Sequence, residues 1–314
     1  MSFPLRTADW DTKEGGGRVA LTDRTVVRSL LERHGFTFSK AMGQNFLVNP
    51  SVCPRMAQES GAGPGVGVLE IGPGIGVLTE ALAQRADRVV CVELDERLLP
   101  ILEETLEEYP KVEVICGDVM KVDLAEILAT RFAGLRAVVC ANLPYYITTP
   151  ILMRLLEARL PVESITVMVQ KEAAARLCAA PGERECGAIS AAIWYYSVPK
   201  TLFSVSPGSF MPPPKVDSQV IRLEVRETPP VWPQDEKLMF EVVRGAFSQR
   251  RKTVANAVSS MLGAGKGAVL SLLTALGLDV NIRAERMTLQ NFCDLSDGIL
   301  ALRKQQGREA ADRA

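Results

Sequence analysis

The 314-residue chain holds a single histidine, His34, and its seven cysteines form no Cys-x-x-Cys pair. A zinc site or other metal centre is therefore not expected, and an odd number of scattered cysteines argues against a disulfide framework. Cys91, Cys116 and Cys140 fall inside short apolar runs, which predicts that they pack in the core as reduced thiols. No apolar run approaches the roughly 18 residues that a membrane span needs. The segment from Met1 to Gly17 is polar and charged, unlike a signal sequence. The expectation is a cytoplasmic protein with no membrane partner. A net charge of −1 withholds any global sign of a nucleic-acid partner, so such a partner has to be argued from local charge. Nothing resembles a P-loop lysine, and neither internal repeats nor low-complexity tracts occur.

What is present is a hydrophobic fraction of 47%, enough for one large domain and a smaller one. A tail over residues 1–20 reads as disordered. Thr22–Arg33 then reads as a helix with Thr22 as N-cap and Val26, Val27, Leu30 and Leu31 on one face. Beyond it, apolar β-rich runs alternate with helical stretches. Strands are predicted at Val66–Ile71, Arg88–Leu94, Val112–Ile115, Ala137–Ala141 and Ser164–Val169, and helices at Leu78–Gln84, Glu96–Glu108 and Pro150–Glu157. That alternation predicts an α/β fold, an open parallel sheet covered by helices on both faces. Two further runs, Ala191–Val198 and Gln219–Val225, flank a proline-rich loop at Ser206–Val216 and read as an antiparallel edge. From Gln234 the period is helical to the end, with breaks at Gly263–Gly267 and Gly277. The expected division is a catalytic domain over 21–230, a small all-helical domain over 231–304 and a frayed tail over 305–314. Residues 1–199 carry 20 basic and 25 acidic side chains, residues 200–314 carry 16 and 12, so the positive excess lies in the second part.

Ligands of open α/β sheets bind beyond the carboxyl ends of the strands, which makes the residue after each apolar run informative. The first run ends in Glu70-Ile71-Gly72-Pro73-Gly74-Ile75-Gly76. Its Gly-x-Gly-x-Gly spacing departs from the dinucleotide fingerprint and, taken alone, fits a plain strand-to-helix turn equally. Glu93 ends the second run about 20 residues on, where a carboxylate accepts from ribose hydroxyls. Asp118 ends the third and is placed to accept from an adenine amine; Leu94 and Val119 follow these two acids and are grouped with them. An adenosine-bearing methyl donor, S-adenosylmethionine, fits this set. The fourth run ends in Asn142-Leu143-Pro144-Tyr145. Adenine's exocyclic amine is a poor nucleophile because its lone pair is delocalised into the ring. The Asn142 side-chain carbonyl and the Leu143 main-chain carbonyl would accept its hydrogens and turn the lone pair toward the donor methyl. Pro144 stiffens the turn, and Tyr145 would stack on an extruded base. An Asn-Pro turn with a core tyrosine is the bland alternative.

At these residues the chain resembles the ribosomal RNA adenine dimethyltransferases, and among them the bacterial small-subunit type, over about Thr22 to Lys304. The resemblance is carried by Gly43-Gln44-Asn45-Phe46-Leu47, the glycine turn, Glu93, Asp118, Asn142–Tyr145, Phe210–Ser218 and Phe247–Thr253. It implies a Rossmann-like S-adenosylmethionine-dependent sheet. It also implies transfer to N6 of two adjacent adenines near the 3′ end of small-subunit (16S) ribosomal RNA, with a role in maturing an immature 30S particle. A monomer is expected. Asn45 and Leu47 would touch the donor, with Gly72 and Gly74 beside its methionine part, and Asn142 would serve donor and acceptor alike. Phe210 would face Tyr145 across the base. Arg244, Arg250, Arg251 and Lys252 would contact phosphates from the helical domain; a solvated charged face is the alternative. Asp9, Asp11 and Glu14 make the first residues more acidic than the resemblance leads one to expect. Three readings stand beside this one: a large-subunit methyltransferase of the antibiotic-resistance type, an assembly or transcription factor that only binds, and a small-molecule or DNA amine methyltransferase.

Overall fold

Seven strands form one sheet in the computed structural model, which describes residues 20–39, 43–249, 251–262 and 265–311, with side chains to residue 306. The expected disordered tail before Ala20 and the candidate phosphate ligand Arg250 lie outside the described residues. In chain order the elements are α1 (Arg24–Arg33), β1 (Phe46–Leu47), α2 (Val52–Glu59), β2 (Val66–Ile71), α3 (Val77–Ala83), β3 (Arg88–Glu93), α4 (Leu99–Thr105), β4 (Val112–Cys116), α5 (Leu124–Arg131), β5 (Arg136–Asn142), α6 (Thr148–Glu157) and β6 (Ser164–Gln170). Then come α7 (Lys171–Cys178), α8 (Ala188–Tyr196), β7 (Ser197–Val205), β8 (Phe210–Met211), β9 (Ser218–Val225), α9 (Glu236–Phe247), α10 (Val254–Leu262), α11 (Lys266–Ala275) and α12 (Leu289–Ala311).

The sheet order is β4-β3-β2-β5-β6-β9-β7, with β4 through β6 parallel and β9 antiparallel to β6. This is the expected parallel sheet with an antiparallel edge. The chain moves outward from β2 to β3 and β4, then returns to lay β5 on the other side of β2. The resulting switch point between β2 and β5 is where sheets of this kind open a crevice for a ligand. β2 is buried at all six positions, as a central parallel strand covered on both faces must be. β4 lies at the edge, and its last residue, Cys116, is exposed. That corrects the expected burial of Cys116, while Cys91 and Cys140 are buried as expected.

Two more local expectations change. The cap of α1 is Asp23, not Thr22: its carboxylate accepts from Thr25 N at 2.7 Å and Val26 N at 3.3 Å. Ala191–Tyr196 is not a strand but most of α8, and extended backbone begins only at Ser197. Alanines at 188, 191 and 192 favour a helix, and the Ser190 hydroxyl accepts from Gly187 N at 2.9 Å to close its first turn. A short apolar run has no period that separates a buried helix from a strand.

The chain divides into two compact units, one reaching to Ala174 and including Lys200–Val225, the other made of Ala175–Pro199 and Arg226 onward. The second unit is helical. It therefore takes α8 from the stretch that the sequence grouped with the sheet, and α12 continues to Ala311, past the expected end at Lys304. Within it Tyr195 and Tyr196 donate to Glu236 at 3.0 and 2.9 Å and pack on Phe240. Gly277, at φ +70°, closes α11: Leu278 N donates to Leu273 O at 2.9 Å in a Schellman turn.

Candidate active site

The turn after β2 places Gly72, Gly74 and Gly76 at φ +69°, +63° and +91°, a left-handed backbone that side chains strongly disfavour. Gly76 is also the N-cap of α3. A Cβ on Gly72 would meet nothing within 4 Å, so the main chain there faces open space that a ligand can enter. Neighbouring strand ends are tied to this turn: Gly72 N donates to Val92 O at 3.0 Å and Gly117 N to Glu93 O at 2.8 Å. The tips of β2, β3 and β4 thus form one rim.

Glu93 is 6% exposed, with one oxygen accepting from Asp95 N at 2.8 Å and the other a long bond from Gly74 N at 3.4 Å. Burial raises its pKa above the ordinary carboxylate value, against the pull of those backbone donors. A buried carboxylate at the lip of the cleft is suited to a pair of ribose hydroxyls. Asp118 accepts from Met120 N at 2.9 Å through one oxygen, and Lys121 approaches the other at 3.7 Å. Glu70, at the end of β2, is 1% exposed, and burial pushes its carboxyl up to about 7.

Across the switch point, Asn142 ends β5 half-buried, and its amide meets no hydrogen-bond partner among the described residues. The turn after it is closed by Ile147 N and the Thr148 hydroxyl, both donating to Pro144 O, at 3.2 and 3.1 Å. Tyr145 is fixed by a 2.6 Å hydrogen bond between its hydroxyl and that of Ser218 on β9, and burial raises its pKa. Phe210 is 1% exposed in β8, which pairs antiparallel with β1 through Leu47 opposite Phe210 and Phe46 opposite Met211. Arg24 of α1 braces this loop by donating to Gly208 O at 2.7 Å and Phe210 O at 3.2 Å.

These groups line one open cleft with a cavity volume of about 140 Å³. Asn45, Leu47, Gly72, Gly74, Glu93, Leu94, Asp118 and Val119 form one part of its lining, and Asn142, Leu143, Pro144, Tyr145 and Phe210 another. Every donor and acceptor candidate drawn from the sequence therefore opens on the same space. Arg244 is exposed on α9, and Arg251 and Lys252 are exposed in the following turn, in the helical unit. Sequence reasoning missed Asp95 and Ser218, which only folding brings to Gln44 and Tyr145, and the exposed Tyr146, 59% accessible at the cleft. Among the described residues no group of three or more His, Cys, Asp or Glu is placed to hold a metal ion, and no helix is long and apolar enough to cross a membrane.

A Rossmann-like sheet with a glycine turn, a buried strand-end acid and an Asn-Leu-Pro-Tyr turn around one cleft defines a methyltransferase that uses S-adenosylmethionine as donor. The sequence model of the ribosomal RNA adenine dimethylase family matches residues 35–299. A ribosomal RNA small subunit methyltransferase A from Alkaliphilus oremlandii is 44% identical over 273 residues, 87% of this chain and 95% of that protein. The crystal structure of a dimethyladenosine transferase from Plasmodium falciparum superposes with a TM-score of 0.68 at 25% identity, covering 83% of this chain and 98% of that one. The 23S rRNA methyltransferase ErmE gives 0.63 at 26% identity, covering 81% and 99%. The chain belongs to the ribosomal RNA adenine dimethylase family, and it is an enzyme acting on ribosomal RNA.

Proposed function

We propose that the protein transfers methyl groups from S-adenosylmethionine to N6 of two adjacent adenines near the 3′ end of small-subunit ribosomal RNA, giving N6,N6-dimethyladenosine. The observation that carries this reading is the unpartnered Asn142 amide at the switch point, in the cleft that also holds Glu93 and Phe210. When bound, the donor supplies an electrophilic methyl group on a sulfonium. Glu93 holds its ribose hydroxyls and Asp118 its adenine amine, while Asn45, Leu47 and the Gly72–Gly74 turn enclose the rest. The target adenine, turned out of its strand, lies between Tyr145 and Phe210. There Asn142 Oδ1 and Leu143 O accept the two amine hydrogens, so that the nitrogen lone pair is aimed at the methyl group. The Asn142 amide is too weak a base to take up the proton; its work is positioning, and the proton of the cationic product passes to water after transfer. After one methylation a single hydrogen remains for these two acceptors, and the site still orients the nitrogen for the second.

The relatives matched over most of their length bear a small-subunit name, which favours this substrate over the large subunit. We place the enzyme in the cytoplasm, as a monomer acting on an immature 30S particle, with Arg244, Arg250, Arg251 and Lys252 on phosphates. The test is incubation of the purified protein, and of its Asn142→Ala variant, with labelled S-adenosylmethionine and ribosomal subunits from a strain lacking the modification, followed by nucleoside analysis. Label in dimethyladenosine of small subunits, abolished by the substitution, is expected. Label only in large subunits would transfer the assignment to the ErmE-like substrate, and label in neither would leave a binding factor.

A further inference from the structure

Gln44 is not among the residues assigned above to the donor, yet its side chain bridges to the acid loop behind the donor's ribose. Its Nε2 donates to Asp95 Oδ2 at 2.8 Å, and its Oε1 accepts from Ser39 N at 3.0 Å. Asp95 is 5% exposed and its main-chain N donates to Glu93. Its carboxylate is also gripped by Arg97, with Nη2 at 2.6 Å and Nε at 2.8 Å, and these bonds hold its pKa below the ordinary value. One aspartate therefore presents its main chain to the ribose acid and its side chain to the strap Gly43–Leu47. The same strap packs onto the glycine turn: a Cβ on Gly74 would lie 3.2 Å from the Phe46 ring.

We infer that Gln44 is a positioning residue for the donor, acting through Asp95 to keep Asn45 and Leu47 over the glycine turn while Glu93 engages the ribose. The inference rests on the reading of Glu93 as the ribose ligand. The hydrogen bond joins a neutral donor to a buried carboxylate that Arg97 also holds, so its loss weakens donor binding about tenfold. RNA affinity stays as in the wild type, because the bonds from Gln44 to Asp95 and Ser39 touch none of the residues assigned to the base or to phosphates.

The experiment measures the dissociation constant for S-adenosylmethionine by calorimetry, and for ribosomal RNA by filter binding, in Gln44→Ala, Gln44→Met, Gln44→Lys and Glu93→Ala proteins. Methionine keeps the length and packing of glutamine but has no N–H, whereas lysine retains a donor to Asp95. Expected is a loss of about tenfold in donor affinity for alanine and methionine alike, recovery to within about twofold for lysine, and unchanged RNA affinity in all three. Wild-type donor affinity in Gln44→Met would show a packing role and overturn the inference. So would a lysine variant as weak as the methionine one, or a parallel loss of RNA affinity. Donor affinity unchanged by Glu93→Ala would instead refute the ribose reading itself, whatever the Gln44 variants do.

Discussion

Replacing Glu70 by glutamine should make the protein more stable at neutral pH and leave it unchanged in acid. The carboxyl lies inside β2 at 1% exposure, with Cys91 Sγ donating to it at 3.4 Å. Burial first, and the neighbouring Glu93 charge last among the causes, raise its pKa from an ordinary 4.5 to about 7. Between those two values the folded protein keeps a proton that the unfolded chain has released. Stability from this group is therefore fully present below pH 4.5 and is lost as pH rises toward about 7. At 1.36 kcal/mol per pH unit, that interval corresponds to about 3 kcal/mol. Glutamine has nearly the same shape and does not ionise, so the variant's advantage should grow from near zero at pH 4.5 to about 3 kcal/mol at pH 8. Equilibrium urea unfolding followed by far-ultraviolet circular dichroism, on both proteins at matched ionic strength across that range, measures the difference directly. Unfolding free energies that run parallel from acid to alkaline pH would refute the reasoning, since they would mean that Glu70 ionises as freely inside the sheet as in water. A variant less stable at every pH would mean that its carboxylate is held by contacts stronger than its burial.

The Tyr145 ring and hydroxyl should separate in steady-state methylation. Tyr145→Phe loses only the bond to Ser218, worth about 1 kcal/mol or a few-fold in kcat/KM, whereas Tyr145→Ala loses base stacking of about 1–3 kcal/mol, up to roughly a hundredfold. Equal losses in the two variants would move the function from the ring to the hydroxyl. For the helical unit, Arg251→Ala should weaken RNA binding and reduce the slope of log K against log salt by about 0.7–0.9, the release of counterions from one phosphate contact. An unchanged slope in binding titrations would leave Arg251 as solvated surface.

The sheet was legible because each central strand is an apolar run that stops at a cleft-lining residue: Ile71 before Gly72, Glu93 itself, Asn142 at the end of β5. A local pattern of this sort is written in consecutive residues, and the observed strands differ from the predicted ones by about a residue at their ends. What could not be read is what folding brings together from a distance. Tyr145 finds Ser218 across 73 positions, Gln44 finds Asp95 across 51, and Arg24 reaches the Phe210 loop across 186. No spacing encodes such pairs. Ala191–Tyr196 failed for a different reason, since a run buried on all sides loses the polar positions that give a period its phase. Cys116 failed because an apolar neighbourhood in sequence says nothing about which strand will end up at the edge.

The two-rung ribbon between Phe46–Leu47 and Phe210–Met211 also bears on how this pocket can change over time. Its pairing runs between main chains, so it does not depend on particular side chains, but Phe46, Leu47 and Phe210 are buried and only the half-buried Met211 is free to drift without disturbing the packing at the cleft. Insertions and deletions are another matter. One residue gained or lost on either strand would turn every side chain of that strand to the opposite face, changing which of them line the cleft in a single genetic event. The ribbon is thus intolerant of changes in length, and the loops that can freely grow or shrink in this lineage should lie outside it.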